Sequence, residues 1–358
     1  MRTTHQLIRP VRRRSRCLAL VGLLVLGLGA TACGATTDAA TAANTSPTNA
    51  PRPAGTNPDP PYTLRLGFIS TNKNLNGPEG FAYEKGRLQE ILKTFGVEKI
   101  ELSAFPNGPP LNEAITGGSI DVGIYGDTPA LVGKASGLPT RLINQSTLDL
   151  DASILTKKGG PASVKDLEGR SVGVQKGSYI HRYLLGVLAQ NGLAGKVNIT
   201  SLATTDADAA LERGELDAYA APIPIAYVLA AKGYPVIDEA RRDHPDLVGS
   251  SVTAGTQVFL DEHPAFLTAW DKARAEALAL AQADQPGFLR FQATAQNLPV
   301  DKLGGVDKLA EAYPLDSYPT EPLPDRGRKL LEGTKAFLLE QQLIKEDVSV
   351  DQWFIPRR

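Results

Sequence analysis

The sequence predicts an α/β protein whose β-sheets are built from strand–helix–strand units and divided between two lobes. Short runs of β-branched and aliphatic residues alternate with segments of helical apolar periodicity along most of the chain. This alternation is typical of parallel sheets covered by helices. The pattern extends over residues 62–358, a length of 297 residues. Because single hydrophobic cores tend to stop growing at about 250 residues, we expect two lobes.

Seven strands are predicted from short apolar runs bounded by turn-forming residues. They span residues 64–69, 100–104, 120–125, 140–144, 171–175, 197–202 and 216–220. The predicted helices span residues 81–92, 111–116, 129–135, 179–190, 206–212, 223–231, 264–283, 286–296, 300–312 and 325–342. In open α/β sheets, ligands bind beyond the carboxyl ends of the strands. The residues that follow each strand are therefore the candidate site.

Residues 1–32 are predicted to be a secretory signal. Six arginines precede an apolar run at 17–29, which is shorter than the roughly 20 residues that span a bilayer. The small residues before Cys33 resemble a lipobox. This resemblance predicts a lipid on Cys33 that anchors the protein to the membrane, and ordinary cleavage near Ala32 is the alternative. The arginines leave the export route open between the general secretory and twin-arginine pathways.

Residues 33–61 are predicted to be a flexible tether. Their Ala, Thr, Asn, Pro, Ser and Gly residues cannot bury enough apolar surface to offset the entropy of ordering the chain. Cys17 leaves with the signal, so no disulfide can form within the mature chain. Removal of the signal also leaves 32 basic and 39 acidic residues, a net charge of −7. This charge argues against binding nucleic acid through a basic surface.

The segment Gln175-Lys176-Gly177-Ser178-Tyr179 closes a predicted strand and opens a predicted helix. Gly177 permits a close backbone approach, and Ser178 is a favourable N-cap. The free amides of a first helical turn, together with the helix dipole, form a site for an anion. Lys176, Gly177, Ser178 and Tyr179 are therefore candidate ligand-binding residues. A capped helix without a ligand is the alternative.

A second strand end meets a helix start at Gly126, Asp127 and Thr128. Pro129 suits the first turn of a helix, and Asp127 or Thr128 can cap it. The segment therefore offers amide and hydroxyl donors to a ligand. An Asp127 carboxylate facing an anion is unfavourable unless it satisfies local amides or contacts an amino or hydroxyl group of the ligand. Structural capping alone is an equal alternative.

Weaker candidates lie at other strand ends. Ser70 and Thr71 follow the first strand and Asn107 follows the second, in polar loops that could equally be solvated turns. Tyr219 lies near the end of a strand in the second half of the pattern. Together with Ala221-Pro222-Ile223-Pro224, which follows it, Tyr219 could wall an apolar part of the site.

The sequence carries no convincing catalytic or metal-binding pattern. Ser70 and Lys73 match S-x-x-K, but the K-T-G partner is missing. Ser178 and His181 lie three residues apart without an evident orienting acid, and the four histidines are not at metal-ligand spacing. A P-loop and a G-x-S-x-G motif are also missing. These observations predict a protein that is not an enzyme and that uses neither a cofactor nor a metal.

Three stretches resemble the sulfonate, taurine and nitrate family of ABC-transporter substrate-binding proteins, whose wider group includes thiamine-pyrimidine relatives. They are FPNGPPLNEAITGGSIDVGIYGDTPALVGKASGL at 105–138, VKDLEGRSVGVQKGSYIHRYLLGVLAQNGL at 164–193 and DADAALERGELDAYAA at 206–221. Weaker similarity continues to the end of the chain, so the resemblance covers nearly all of 62–358.

The resemblance implies a type II periplasmic-binding fold, in which two α/β lobes are joined by a hinge around a central ligand cleft. One lobe would combine residues 62–150 with 251–358, and the other would be the inserted segment 151–250. The family also implies an extracytoplasmic monomer that delivers a small anionic organic solute to an ABC permease and its ATPase. A pyrimidine-synthase-like enzyme on the same scaffold and a ligand sensor for a membrane receptor are the alternatives.

The resemblance also bears on the ligand. Family members bind the acid head group through amides at positions matching 126–128 and 177–178, in agreement with the helix-start argument above. Many sulfonate-binding relatives carry Trp-Asp-Pro where this chain has Pro222-Ile223-Pro224. Because this difference alters one wall of the cleft, it argues against an alkanesulfonate itself as the ligand.

Overall fold

The computed structural model describes residues 57–303 and 305–357. The predicted signal, the lipid on Cys33 and most of the predicted tether lie outside the described residues. Within the described ranges, no helix combines the length and the apolar character that a membrane crossing requires. The same ranges contain no group of three or more His, Cys, Asp or Glu side chains placed to hold a metal ion.

Ten strands and fourteen α-helices form the described part of the chain. The strands are β1 (Tyr62–Ile69), β2 (Val97–Phe105), β3 (Val122–Gly126), β4 (Thr140–Leu150), β5 (Ala152–Thr156), β6 (Ser171–Val174), β7 (Asn198–Ser201), β8 (Ala218–Pro222), β9 (Val236–Glu239) and β10 (Gly249–Thr256). The helices are α1 (Gly77–Glu84), α2 (Arg87–Lys93), α3 (Gly108–Thr116), α4 (Asp127–Ala135), α5 (Tyr179–Gln190), α6 (Ala207–Glu212), α7 (Ile225–Ala231), α8 (Ala240–Asp243), α9 (Gln257–Glu262), α10 (Phe266–Ala283), α11 (Gln285–Ala295), α12 (Val306–Ala312), α13 (Asp325–Glu340) and α14 (Val350–Trp353).

The strands form two five-stranded sheets of the same layout. The first has the order β2-β1-β3-β10-β4, and the second has the order β7-β6-β8-β5-β9. In the first sheet β1 runs parallel to β2 and β3, whereas β10 runs antiparallel to β3 and β4. In the second sheet β6 runs parallel to β7 and β8, whereas β5 runs antiparallel to β8 and β9.

The protein has two α/β lobes, each built on one of the sheets. The chain leaves the first sheet between β4 and β5 and returns to it between β9 and β10. Each sheet has its own buried core, represented by Leu64, Val122 and Trp270 in the first and by Val172 and Leu184 in the second. We call the lobe of the first sheet lobe 1 and that of the second sheet lobe 2. The two crossings between them form a hinge.

The helices after β10 belong mainly to lobe 1. Helices α1, α2 and α10 share one buried core with the first sheet, and helices α3, α4 and α13 share another with it. Helices α11 and α12 form a separate apolar cluster with Phe81 of α1. Ile225 and Tyr227 of α7, in lobe 2, also pack against that cluster, so the C-terminal helices contact both lobes.

The seven predicted strands are all present, and the predicted parallel pairing holds for β1 with β2 and β3 and for β6 with β7 and β8, but both sheets also contain antiparallel strands. Strands β5, β9 and β10 were not predicted, and β5 and β10 run antiparallel to both of their neighbours. Strand β10 reads GSSVTAGT and β9 has four residues, so neither carries a strong apolar signal. Strand β5 follows β4 after a single residue, which hides the point where the chain changes sheets.

The predicted helix at 81–92 is in fact two helices, α1 and α2. Gly86 separates them with a φ of 76°, a left-handed conformation that favours glycine. The predicted helix at 300–312 is also shorter, because α12 begins only at Val306. By contrast, α5 has the predicted bounds, Tyr179–Gln190.

Candidate functional site

A cavity of about 250 Å³ lies between the two lobes. Residues at the carboxyl ends of β1, β2, β3, β6 and β8 line it, namely Ile69, Asn107, Gly126, Gln175 and Pro222. This is the sheet edge at which open α/β folds bind ligands. The hinge segments and the C-terminal helices supply the remaining walls.

Four helices begin at the cavity wall. Their N-cap residues are Asn76 of α1, Asn107 of α3, Gly126 of α4 and Ser178 of α5, all with extended backbone. The start of a helix carries a partial positive charge of roughly half an elementary charge. Three of these helices belong to lobe 1 and α5 belongs to lobe 2. The arrangement favours an anion placed between the lobes.

Helices α1 and α3 begin with the same tripeptide, Asn-Gly-Pro, at 76–78 and 107–109. Proline suits the first turn because its missing N–H would have no helical partner there. A Cβ on Gly108 would lie 2.2 Å from Pro129, so glycine lets α3 start directly against α4. The Gly77 amide already donates to Gln292 Oε1 at 2.7 Å. The starts of α3, α4 and α5 are therefore the stronger candidates for ligand contact.

At the start of α5, the cap leaves backbone donors unused. The Ser178 hydroxyl accepts from the His181 amide at 3.2 Å and donates to the Gln175 carbonyl at 2.6 Å. The amides of Tyr179 and Ile180 make no hydrogen bond to any other part of the chain that the structure describes, and Tyr179 and Ile180 line the cavity. These two N–H groups can bind an anion.

At the start of α4, Asp127 serves the protein rather than the cavity. Its buried carboxylate accepts from the Ser250 amide at 2.9 Å, the Ser250 hydroxyl at 3.0 Å and the Thr334 hydroxyl at 3.2 Å. Arg182 Nη2 lies 3.9 Å from the same carboxylate, and Arg182 Nε donates to the Thr128 hydroxyl at 3.3 Å. This network ties the start of α4 to β10, α13 and α5.

The Tyr179 ring lies between the helix starts and the hinge. A Cβ on Gly249 would lie 2.3 Å from the ring, so glycine at the start of β10 makes room for it. The phenol donates to the Asp151 carbonyl at 3.2 Å. Burial, and then the charges of Asp151 and Asp127, raise the pKa of Tyr179 above its ordinary value. The phenol is therefore neutral at physiological pH and acts as a hydrogen-bond donor.

The charged side chains of the lining are concentrated at the hinge. Arg241 Nη2 donates to the Asp149 carbonyl at 2.9 Å, and its Nε lies 3.8 Å from the Asp151 carboxylate. Burial raises the pKa of Asp151, although amide donors and Arg241 act in the opposite direction. The Asp151 carboxylate therefore partly neutralises Arg241, and the helix starts are a second source of attraction for an anion.

The comparisons with known proteins agree with this architecture. The sequence profile of the NMT1-like family matches residues 57–290, which is more than half of the chain. The chain belongs to the NMT1-like family. A relative from Escherichia coli (strain K12), named for binding aliphatic sulfonates, is 29% identical over 301 residues, or 82% of this chain and 88% of its own length. The resemblance to sulfonate-binding proteins is thereby confirmed.

Solved structures similar to this chain include a sulfonate-binding protein and an enzyme. The alkanesulfonate-binding protein SsuA from Xanthomonas axonopodis pv. citri, bound to MOPS, is 25% identical, with a TM-score of 0.67 over 82% of this chain and 98% of its own. The desulfurization enzyme DSZB is 20% identical, with a TM-score of 0.62 over 82% of this chain and 96% of its own. The latter likeness shows a shared fold alone.

Only some of the predicted ligand-binding residues line the cavity. Asn107, Gly126, Ser178 and Tyr179 line it, and ligand contact by these residues stays a prediction. The other predicted residues lie outside the lining, namely Ser70, Thr71, Asp127, Thr128, Lys176, Gly177 and Tyr219.

Local contacts explain why several predicted residues lie outside the cavity lining. The Ser70 hydroxyl bonds Asn72 within a turn, the alternative considered for that loop. Tyr219 is buried in the core of lobe 2 and donates to the Leu202 carbonyl at 3.0 Å. Lys176 is exposed to solvent. Gly177 faces Pro109 of lobe 1, and a Cβ on it would lie 2.7 Å from that ring.

Two parts of the cavity wall, the C-terminal segment and the start of α1, were not predicted from the sequence. The cavity is also lined by Gln292, Gln296, Tyr313 and Tyr318. Apart from Tyr219, every predicted site residue lies more than 100 positions before them in the sequence. Nothing local marks them, because their role depends on how α11 and α12 pack. Asn76 could have been found, since Asn-Gly-Pro occurs there as it does at Asn107.

Proposed function

We propose that this protein is the extracytoplasmic solute-binding component of an ABC importer, and that it captures a small anionic organic solute of the sulfonate class and delivers it to a permease. The observation that carries the proposal is the meeting of helix starts from both lobes at one cavity. The name of the Escherichia coli relative supports the sulfonate class.

The site would hold its ligand mainly by backbone donors. The anionic head group would accept from the Tyr179 and Ile180 amides and lie near Asn107 and Gly126, where the dipoles of α3 and α4 add to that of α5. Hydrogen bonds to an ionised group are stronger than those between neutral groups. Because α5 belongs to lobe 2 whereas α3 and α4 belong to lobe 1, binding would favour the closed arrangement of the lobes.

The lobes already touch beside the cavity. Gln175 Nε2 of lobe 2 donates to the Pro106 carbonyl of lobe 1 at 2.7 Å, and Gly177 faces Pro109. A ligand held between α3 and α5 would add to these contacts. A permease that separates the lobes would weaken the same contacts and release the solute.

The proposal includes attachment to the membrane. A signal over residues 1–32 would be removed, Cys33 would carry the lipid, and residues up to 61 would form the tether of a monomer. Lipid anchors with more than one chain hold proteins stably at a membrane. Metabolic labelling of the full chain with a radioactive fatty acid should label the wild type and leave Cys33→Ala unlabelled.

An enzyme on the same scaffold is the weaker alternative. The cavity lining contains neither histidine nor cysteine among the described residues, and His181 lies outside it. The His181 Nδ1 instead accepts from the Gly177 amide at 3.4 Å. A ligand sensor for a membrane receptor would use the same cavity. Crosslinking to membrane partners distinguishes the two functions, because an importer component would crosslink to a permease and a sensor would crosslink to a receptor.

Calorimetric titration of the full chain tests the proposal. Ethanesulfonate, 2-naphthalenesulfonate and taurine are the probes, with ethanol and ethylamine as neutral and cationic controls. A bound sulfonate at a hundredfold excess over its dissociation constant should raise the free energy of unfolding by about 2.7 kcal/mol. If no sulfonate binds, or if ethylamine binds as well as ethanesulfonate, the proposed function is wrong.

A further inference from the structure

Three tyrosines form one wall of the cavity, and we call them the tyrosine cluster. Tyr179 comes from α5 of lobe 2, whereas Tyr313 and Tyr318 follow α12 in lobe 1. Tyr313 and Tyr318 are 9% and 7% exposed. The cluster therefore reaches the cavity from both sides of the cleft.

Tertiary contacts hold the C-terminal part of the cluster in place. Gln292 Nε2 donates to the Tyr318 hydroxyl at 3.4 Å, and Arg274 Nη2 donates to the Pro319 carbonyl at 3.1 Å. The Tyr318 ring meets Phe288 edge to face, with centroids 5.8 Å apart. The ring is thus a fixed part of the wall rather than a mobile loop residue.

The Tyr313 hydroxyl is a buried donor without a hydrogen bond among the described residues. The Gln296 side chain is its neighbour in the lining. Burial, and then the neighbouring phenols of Tyr318 and Tyr179, raise the pKa of Tyr313 above its ordinary value. Since buried polar groups are normally paired, this hydroxyl offers a hydrogen-bond donor to a polar group in the cavity.

Apolar side chains form another part of the lining. Phe68, Leu75, Ile223, Ala312 and Pro314 contribute to it. A short alkyl chain held by its anionic end would leave much of this surface without contact, and unfilled apolar surface forfeits dispersion energy. A planar ring can instead contact tyrosine faces and edges from both lobes, which is favourable beyond the area buried.

We propose that the solute is an aryl anion, with its charged group at the starts of α3, α4 and α5 and its ring against the tyrosine cluster. This inference rests on the proposed binding function and narrows its ligand class.

Titration of the full chain with matched sulfonates tests the inference. The probes are 2-naphthalenesulfonate, cyclohexanesulfonate and ethanesulfonate, which share a head group and differ in the attached body. The naphthyl compound should bind at least tenfold more tightly than the ethyl compound and more tightly than the cyclohexyl one. If ethanesulfonate binds as tightly as the naphthyl compound, the inference is overturned while the proposed function stands. Binding of none of the three overturns both.

Substitutions in the tyrosine cluster test whether these rings cause the tighter binding of the naphthyl compound. Tyr313→Leu and Tyr318→Leu remove a ring but keep an apolar side chain, and each should weaken the naphthyl compound roughly two- to tenfold. Affinity for ethanesulfonate should stay within about twofold of the wild type. Tyr83→Leu, which changes a half-buried tyrosine of α1 outside the lining, is the control. Equal losses for both ligands would contradict the inference, and the wild-type comparison remains decisive if a variant fails to fold.

Discussion

At the scale of single residues, the most constrained pair is Asp127 with Arg182. Both are buried, with 0% and 1% of their surface exposed. Arg182 Nη2 donates to the Val248 carbonyl at 2.7 Å and lies 3.9 Å from the Asp127 carboxylate. Removing one partner from a buried pair is costly because the other charge is left uncompensated. The pair therefore braces the helix starts of α4 and α5 from behind the cavity.

We expect Arg182→Met to destabilise the protein by about 3–5 kcal/mol, because it leaves the Asp127 carboxylate buried without a cation. Urea unfolding of the full chain measures the change. Arg213→Met, which breaks a solvent-exposed pair with Glu215, is the matched control and should leave stability unchanged. The prediction is wrong if the two variants unfold at the same urea concentration.

A second prediction at this scale concerns pH. Burial, and to a smaller extent the charge of Lys176, lowers the pKa of His181. The unfolded chain therefore binds a proton below about pH 6.5 that the folded chain resists, and the free energy of unfolding falls as the pH drops through that window. The loss stops once the pH is below the folded pKa.

His181→Gln should remove this contribution while keeping an acceptor for the Gly177 amide. Urea unfolding at pH 7.5 and pH 5.5 should show a smaller loss of stability in the variant than in the wild type. One proton contributes at most about 1.4 kcal/mol per pH unit. Equal losses in the two proteins would mean that His181 does not titrate differently on folding.

At the scale of elements, the start of α5 can be tested through one backbone donor. Ser178 has extended backbone, with φ −99° and ψ 170°, which is compatible with a following proline. Tyr179 is the first helical residue, where proline is tolerated. Replacing it by proline therefore removes an amide donor with little disturbance of the helix.

Tyr179→Pro and Tyr179→Ala both lose the ring, and only the proline variant also loses the amide. A hydrogen bond to a charged group contributes about 1.5–3 kcal/mol, so the proline variant should bind ethanesulfonate roughly 10- to 100-fold more weakly than the alanine variant. Calorimetric titration of both variants measures the difference. Identical affinities would show that this amide does not contact the anion.

The strand-level predictions from the sequence succeeded where apolar runs are strong and local. Strands β1, β2, β3, β6 and β8 were placed near their observed ends, and these are the strands whose carboxyl ends line the cavity. Strand β10 was not predicted, because its small residues do not form an apolar run; it pairs between β3 and β4. Its pairing depends on residues more than 100 positions away.

At the scale of the whole molecule, one close contact between the lobes lies at Gly177. It has a φ of 78°, and a Cβ there would lie 2.7 Å from Pro109 across the cleft. Gly214 has a φ of 70° but open space around it. Substitutions at the two glycines can therefore be compared. Both introduce a Cβ at a positive φ, but only the one at Gly177 places that Cβ against the other lobe.

Gly177→Ala and Gly214→Ala should each destabilise the protein by about 1 kcal/mol, because alanine disfavours a positive φ. Only Gly177→Ala should also hinder closure and weaken ethanesulfonate binding, by roughly fivefold for about 1 kcal/mol of lost contact. Titration and small-angle scattering of the ligand-bound proteins measure affinity and closure. Equal affinities would place the closing contact elsewhere.

Local sequence patterns were enough to predict the alternation of strands and helices, the helix starts after the parallel strands and the bounds of α5, because apolar periodicity and capping residues act over a few neighbours. The tertiary structure was needed to show that the buried Asp127 carboxylate contacts Ser250 and Arg182, and that Tyr313 and Tyr318 line the cavity. These outcomes depend on packing between segments far apart in the chain, which local propensity does not encode.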